Sequence, residues 1–122
     1  MRELRPLIGR PWKLDSDPPN SFDCWSLVAY VRKTFFDRET PSYRDQYAGY
    51  KDGDPAFDYP PFEWYTIPEP VAGSVARFGV THVGVVLPDL RVIHCSKATG
   101  VRVDTAALMA RFENVTYWEL GT

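Results

Sequence analysis

The apolar positions of this chain change period once, and that change divides it into a helical part and a sheet part. Residues 1–20 carry Pro6, Pro11, Pro18 and Pro19, which exclude a long helix, so this stretch reads as an extended lead-in. Cys24, Leu27, Val28, Val31 and Phe35 then follow at i, i+3, i+4, i+7 and i+11. That spacing is one face of an α-helix over residues 23–36. Ser21 or Asp23 can cap it. Asp23 suits the positive end of the helix dipole, and Arg32 and Lys33 suit the negative end. Residues 37–73 hold Pro41, Pro55, Pro60, Pro61, Pro68 and Pro70 among Tyr43, Tyr47, Tyr50, Tyr59, Trp64 and Tyr65. The prolines exclude long regular elements, and the aromatics need a surface to pack on. This segment reads as a wrap with a short helix near 43–48, either walling a site or lying on a sheet.

From residue 74 the period becomes two. Strands are predicted at 74–78, 82–87, 90–95, 100–103 and 115–120, with a turn at Pro88-Asp89 and a short helix capped by Asp104 and running through Arg111. One helix followed by an antiparallel meander is an α+β arrangement. At 122 residues the chain has the length of one domain, read here as spanning 1–122.

Charge excludes some functions. Fourteen basic residues face sixteen acidic ones, a formal net charge of −2, with no basic stripe. That balance gives no electrostatic ground for nucleic acid or an acidic membrane as partner. No stretch has the about 20 apolar residues of a membrane span, and residues 1–14 lack the apolar core of a secretory signal. The expectation is synthesis in the cytoplasm without a signal peptide. Cys24 and Cys95 are then expected as reduced thiols. No Cys-x-x-Cys or His/Cys cluster suggests a metal site.

The candidate chemistry rests on three residues. A thiol at Cys24, at the helix start, faces unpaired backbone N–H groups and the positive dipole end, which favour thiolate. A cysteine nucleophile needs that setting. The alternative is a small buried hydrophobe. The two histidines, His82 and His94, flank one hairpin. A turn of odd length centred on Pro88 would set them directly opposite each other, on one face. His82 would then serve as the base for Cys24, and His94 would fix the tautomer and plane of His82. Cys95, next to His94, points to the opposite face and is read as core.

These residues resemble a known family. Phe22-Asp23-Cys24-Trp25-Ser26-Leu27-Val28 is similar to the Asp-Cys-(Ser/Trp)-Gly-Leu-Val nucleophile motif of NlpC/P60 peptidases. His82-Val83-Gly84-Val85-Val86-Leu87 resembles the family's His-Val-Gly-Ile-Tyr-Leu strand, and Val92-Ile93-His94-Cys95 its Ile-His-Ala segment. Gly9-Arg10-Pro11-Trp12 is similar to its Gly-x-Pro-Tyr lead-in. The stretch from Pro41-Ser42-Tyr43 to Tyr47-Ala48-Gly49 resembles phage-tail members. The resemblance implies a papain-like α+β fold and a Cys24-His82-His94 triad, with Trp12, Asp23 and Trp25 touching substrate. It implies no metal or organic cofactor. The implied activity is cysteine endopeptidase cleavage of D-glutamyl-diaminopimelate bonds in peptidoglycan stem peptides. Delivery to the cell envelope would fall to phage-tail or secretion-system proteins. Two other functions are compatible with the same residues: a tail-tip assembly protein that keeps the fold, and an amidase or acyltransferase using the same triad. Departures from the motifs are Lys13-Leu14-Asp15-Ser16 in place of Gly-Gly, Ser26 in place of Gly, Gly73-Ser74 in place of Gly-Asp, and Trp12 in place of Tyr.

Overall fold

The helix begins where the pattern places it. In a computed structural model of the protein, describing residues 2–13, 16–40, 64–79, 82–111 and 114–120, helix α1 runs Cys24–Phe36. Asp23 is its N-cap: the carboxylate accepts the Ser26 N–H at 2.7 Å, and Ser26 Oγ accepts the Asp23 N–H at 3.0 Å. This reciprocal box satisfies two donors that the first turn leaves without helical partners. Ser26, where the resembled motif has glycine, is therefore part of the cap. The far end closes on Asp37 in the left-handed region, φ 53°, which aspartate tolerates better than most residues.

Among the described residues six strands form one antiparallel sheet: β1 Trp64–Ile67, β2 Val75–Phe78, β3 His82–Val86, β4 Arg91–Ser96, β5 Gly100–Thr105 and β6 Val115–Leu120. Their order is β1-β6-β2-β3-β4-β5. Only β2 to β5 form a meander; β6 returns to lie between β1 and β2. Three expectations need correction. Residues 64–67 are a strand and not part of an irregular wrap. Arg2–Leu7 form a 3-10 helix and not an extended lead-in; it buries Leu4 and Leu7. Helix α2, Ala106–Ala110, is capped by Thr105, whose hydroxyl accepts the Leu108 N–H at 3.1 Å. Asp104 belongs instead to β5. The helix expected near 43–48 lies outside the described residues.

The β3–β4 hairpin has a three-residue loop, Pro88, Asp89 and Leu90. Leu87 N–H donates to Arg91 O at 2.7 Å, and Leu90 N–H to Leu87 O at 2.8 Å, with Leu90 left-handed at φ 68°. The loop is odd, as the sequence requires, but it is centred on Asp89. His94 therefore faces Gly84 rather than His82. A displacement of two residues keeps both histidines on one face.

The sheet has two covered faces. Leu27, Val28 and Val31 of α1 pack with Val83, Val85, Ile93 and Cys95. Phe78, Val86 and Val92 project to the other side, toward Met109 of α2. Each fully buried aliphatic side chain contributes about 1.5–3 kcal/mol. Cys95, expected as core, lies in the α1-side cluster, and its thiol donates to Phe22 O at 3.4 Å. That contact sets the start of α1 beside the end of β4 that runs along the beginning of β3.

Arg32, which suits the negative end of the helix dipole, is also buried, 1% exposed. Its guanidinium donates to Gly73 O, to Thr40 Oγ1 at 2.8 Å and to Glu119 at 2.9 Å, and lies 5.3 Å from the Trp64 ring centroid. It ties α1 to β1, to β6 and to the turn before β2. Losing one partner of a buried ion pair costs roughly 3–5 kcal/mol. Glu119 also holds Arg38, so Arg32→Met is expected near the lower end, about 3 kcal/mol. Urea unfolding of the variant measures this; a loss below about 1 kcal/mol would remove Arg32 from the role of tie.

Candidate active site

Position in the strands decides which side chains meet. His82 is the first residue of β3, and His94 lies one strand over and two positions along, on the diagonal. Diagonal neighbours are about 7–8 Å apart at Cα, within reach of long or aromatic side chains. His82 Nε2 and His94 Nδ1 are 2.9 Å apart, a hydrogen bond, with the rings nearly perpendicular at 88°. The bond crosses above Gly84, which stands opposite His94. A Cβ there would fall 2.6 Å from Val92 Cγ1, 2.7 Å from Ile93 O and 3.0 Å from His94 Cβ. Glycine is therefore the residue that allows β4 its close approach.

The diagonal continues. His94 Nε2 lies 2.8 Å from Asp104 Oδ2, again one strand over and two positions along, past Arg102. Arg102 grips the same carboxylate with Nη2 on Oδ1 and Nε on Oδ2, both at 2.8 Å. Phe78 leans on both imidazoles. A cavity of about 330 Å³ opens beside this row, lined by Phe78, His82, His94, Arg102, Leu108 and Met109 among others. Sequence reasoning assigned Asp104 to a helix cap and missed its place beside His94. The missed signal is its parity with Arg102 on a strand that continues to Thr105.

Electrostatics follow from burial. His94 is held below the usual imidazole range, first by burial and then by the charge of His82, against the pull of Asp104. Burial alone would raise Asp104. Hydrogen bonds from His94 and Arg102, with the charge of Arg102, hold it below the usual carboxylate range instead. The pair at neutral pH is a neutral imidazole beside an ionised carboxylate.

Cys24 opens α1 and is buried. Helix α1 packs on β3 and β4, and its start lies at the end of the sheet where β3 begins. The structure thus brings His82 and His94 into contact. Asp23 is buried with its carboxylate used as the cap. Trp25 is buried and meets Trp64 edge-on, centroids 5.8 Å apart. Trp12 is half-buried, bridged to Phe22, with Lys97 Nζ 5.0 Å from its ring centroid. Among the described residues no group of His, Cys, Asp and Glu is arranged to hold a metal ion, and no helix is long and apolar enough to cross a membrane.

Two outcomes are expected. Gly84→Ala forces β4 away or twists His94, at about 1–3 kcal/mol; a thermal scan with unchanged midpoint would show that the strands have room. The lowered His94 contributes stability that is complete above its unfolded value of 6.5 and is lost as pH falls through the lower folded value. Wild type should therefore lose stability on acidification from pH 7 toward pH 5 more steeply than His94→Gln. Equal slopes would mean that His94 is not held neutral.

No family profile matches the sequence, and no curated protein does. Among solved structures the chain is similar to the NlpC/p60 domain of the peptidoglycan hydrolase SagA, with TM-score 0.58 and 18% identity. The match covers 95% of this chain and 92% of that one. Helix α1 on a six-stranded antiparallel sheet, matched over nearly the whole length of the chain, is the papain-like fold of the NlpC/p60 domains.

Proposed function

We propose that this protein is a cysteine hydrolase of peptidoglycan stem peptides, with Cys24 as nucleophile, His82 as base and His94 orienting the base. The observation that carries the reading is the 2.9 Å His82–His94 bond, with Cys24 as the first residue of α1. The shared fold of a peptidoglycan hydrolase domain supports the substrate class. The motif resemblance supports the finer reading, the D-glutamyl-diaminopimelate bond, and the phage-tail-like segment supports delivery to the envelope by a tail or secretion assembly.

The chemistry runs as follows. His82 commits Nε2 to His94, so Nδ1 is the nitrogen that takes the Cys24 proton. The thiolate, stabilised at the helix start, attacks the scissile carbonyl. The backbone N–H of Cys24 is a donor for the developing oxyanion. Collapse breaks the C–N bond as the imidazolium returns its proton to the leaving amine, giving a thioester. His82 then takes a proton from water, and the hydroxyl attacks the thioester to release the acid and regenerate the thiol. Asp23 and Trp12 border the cleft in this reading, and Trp25 backs it.

Mass spectrometry of peptidoglycan digests tests the reading. Cys24→Ala should fold normally and release no fragments; turnover that persists would remove Cys24 as nucleophile. His82→Ala should lose more activity than His94→Ala, since proton transfer is worth about 10²–10⁴-fold and orienting less. Iodoacetamide labelling of a Cys95→Ser background gives a substrate-free check. Cys24 should react well below pH 8 and lose that reactivity in His82→Ala. A thiol that titrates like free cysteine in both would point to an assembly role instead.

A further inference from the structure

Asp104 carries an inference beyond the triad, resting on the reading of His82 as base. We propose that Asp104 is a positioning residue of the reaction: its carboxylate sets the tautomer of His94 and, through His94, that of His82. The geometry dictates this step by step. An ionised carboxylate only accepts hydrogen bonds. At 2.8 Å from Asp104 Oδ2, His94 Nε2 must therefore carry the proton. A neutral His94 then has a lone pair on Nδ1. His82 Nε2, 2.9 Å from that lone pair, must be the N–H of its ring. The lone pair of His82 is then on Nδ1, the atom that receives the thiol proton.

Without an ionised group at 104 the two hydrogen bonds can reverse as a unit. His94 would carry its proton on Nδ1 and donate to His82 Nε2. His82 would then hold a proton on Nδ1 and could not accept another there. Asp104 thus separates a competent dyad from its mirror tautomer. Three observations favour a placed group over a chance neighbour. Asp104 is largely shielded, its side chain 11% exposed. Both its oxygens are gripped by Arg102, which keeps it ionised and fixes its plane. The groups facing His94 are His82, Asp104 and Arg102; burial first, then the charges of His82 and Arg102, hold it neutral against the pull of Asp104, while hydrogen bonds from His94 and Arg102 hold the carboxylate charged. When His82 becomes an imidazolium, its Nε2–H stays on the His94 lone pair and no proton passes to Asp104. The carboxylate acts through the polarised ring of His94 on the charge that develops.

The test is long-range ¹H–¹⁵N spectroscopy of the imidazole nitrogens at pH 7.5 in the full chain, wild type and Asp104→Asn, with iodoacetamide labelling of Cys24 alongside. Wild type should show both rings protonated on Nε2. An asparagine can donate or accept, so Asp104→Asn should show both tautomers in each ring. Its hydrolysis of stem peptides should fall roughly 10²–10⁴-fold, as expected when a base is held in the wrong tautomer, with the pH profile of Cys24 labelling displaced upward. Asp104→Glu should recover part of both readouts. A folded Asp104→Asn with unchanged tautomers and labelling profile would make Asp104 merely structural. Wild-type His82 protonated on Nδ1 would overturn the proposal without any variant, which covers the case that Asp104→Asn fails to fold. The tautomer readout does not involve Cys24, so Nε2–H rings with an unreactive Cys24 would sink the hydrolase reading and leave the Asp104 relay standing.

Discussion

The register of β3 against β4 is the constraint on which the rest of this protein depends. Side chains alternate across a sheet, so one residue of slip exchanges the faces of every position in a strand. In β4 that slip would exchange His94 with Cys95, putting an imidazole into the α1-side core and a thiol over the cavity. Two local devices hold the pairing. Leu90 in the left-handed region closes a three-residue loop. Asp89 accepts the Arg91 N–H at 3.1 Å, which stiffens the same turn. Gly84 then lets the backbones approach where His94 needs the space. A short turn and one missing side chain thus fix which groups share a face.

The second requirement is that α1 be held to the same frame, because a nucleophile and its base come from different elements. Apolar packing of Leu27, Val28 and Val31 supplies attraction without direction. Direction comes from polar ties at its two ends. At the start, Phe22 O accepts the Cys95 thiol, Phe22 N–H donates to Pro11 O at 3.1 Å, and Lys13 N–H donates to Phe22 O at 3.0 Å. The lead-in is in turn laced to β5 by Gly9 N–H to Val101 O at 2.8 Å and Val101 N–H to Arg10 O at 2.9 Å. Gly100, at φ 68°, lets Arg10 O come within 2.4 Å of where a Cβ would sit. Toward the other end, Arg32 reaches β6 and the turn before β2. The helix is therefore pinned along its length as well as packed on its face.

Much of this was legible in the sequence, for local reasons. The apolar face of α1, its Asp23 cap and the strands 75–78, 82–86, 91–96 and 115–120 each follow from patterns within a few residues. The parity of the two histidines was also legible, because any odd loop gives it. The offset was not. Pro88 marks the turn, but the left-handed residue that centres the loop on Asp89 is Leu90, which no turn propensity singles out. Strand β1 was missed because four residues, Trp64 to Ile67, are too short for a period and their partner lies at the far end of the chain in β6. The burial of Arg32 was missed for a similar reason. Helix spacing puts it near the negative end, and only Glu119 and Gly73, remote in sequence, show why a guanidinium can be buried there.

Asp104 shows the same limit at the site. In sequence it stands beside Thr105 and Ala106, where an aspartate caps helices well, and that local preference is real: the next residue, Thr105, is the cap. What overrides it is one more step of β5, which turns Asp104 toward the histidine face and gives it to His94. The row His82, His94, Asp104 crosses three adjacent strands by the same offset each time. Each member reaches past the residue directly opposite, Gly84 in one case and Arg102 in the other. That offset separates the two roles of the opposing positions. One must be empty so that an imidazole can lie over it, and the other must be filled by a cation that holds the last carboxylate charged. A buried neutral imidazole between a base and an anion is stable only while both hydrogen bonds point one way. The sheet supplies that direction from its β5 edge.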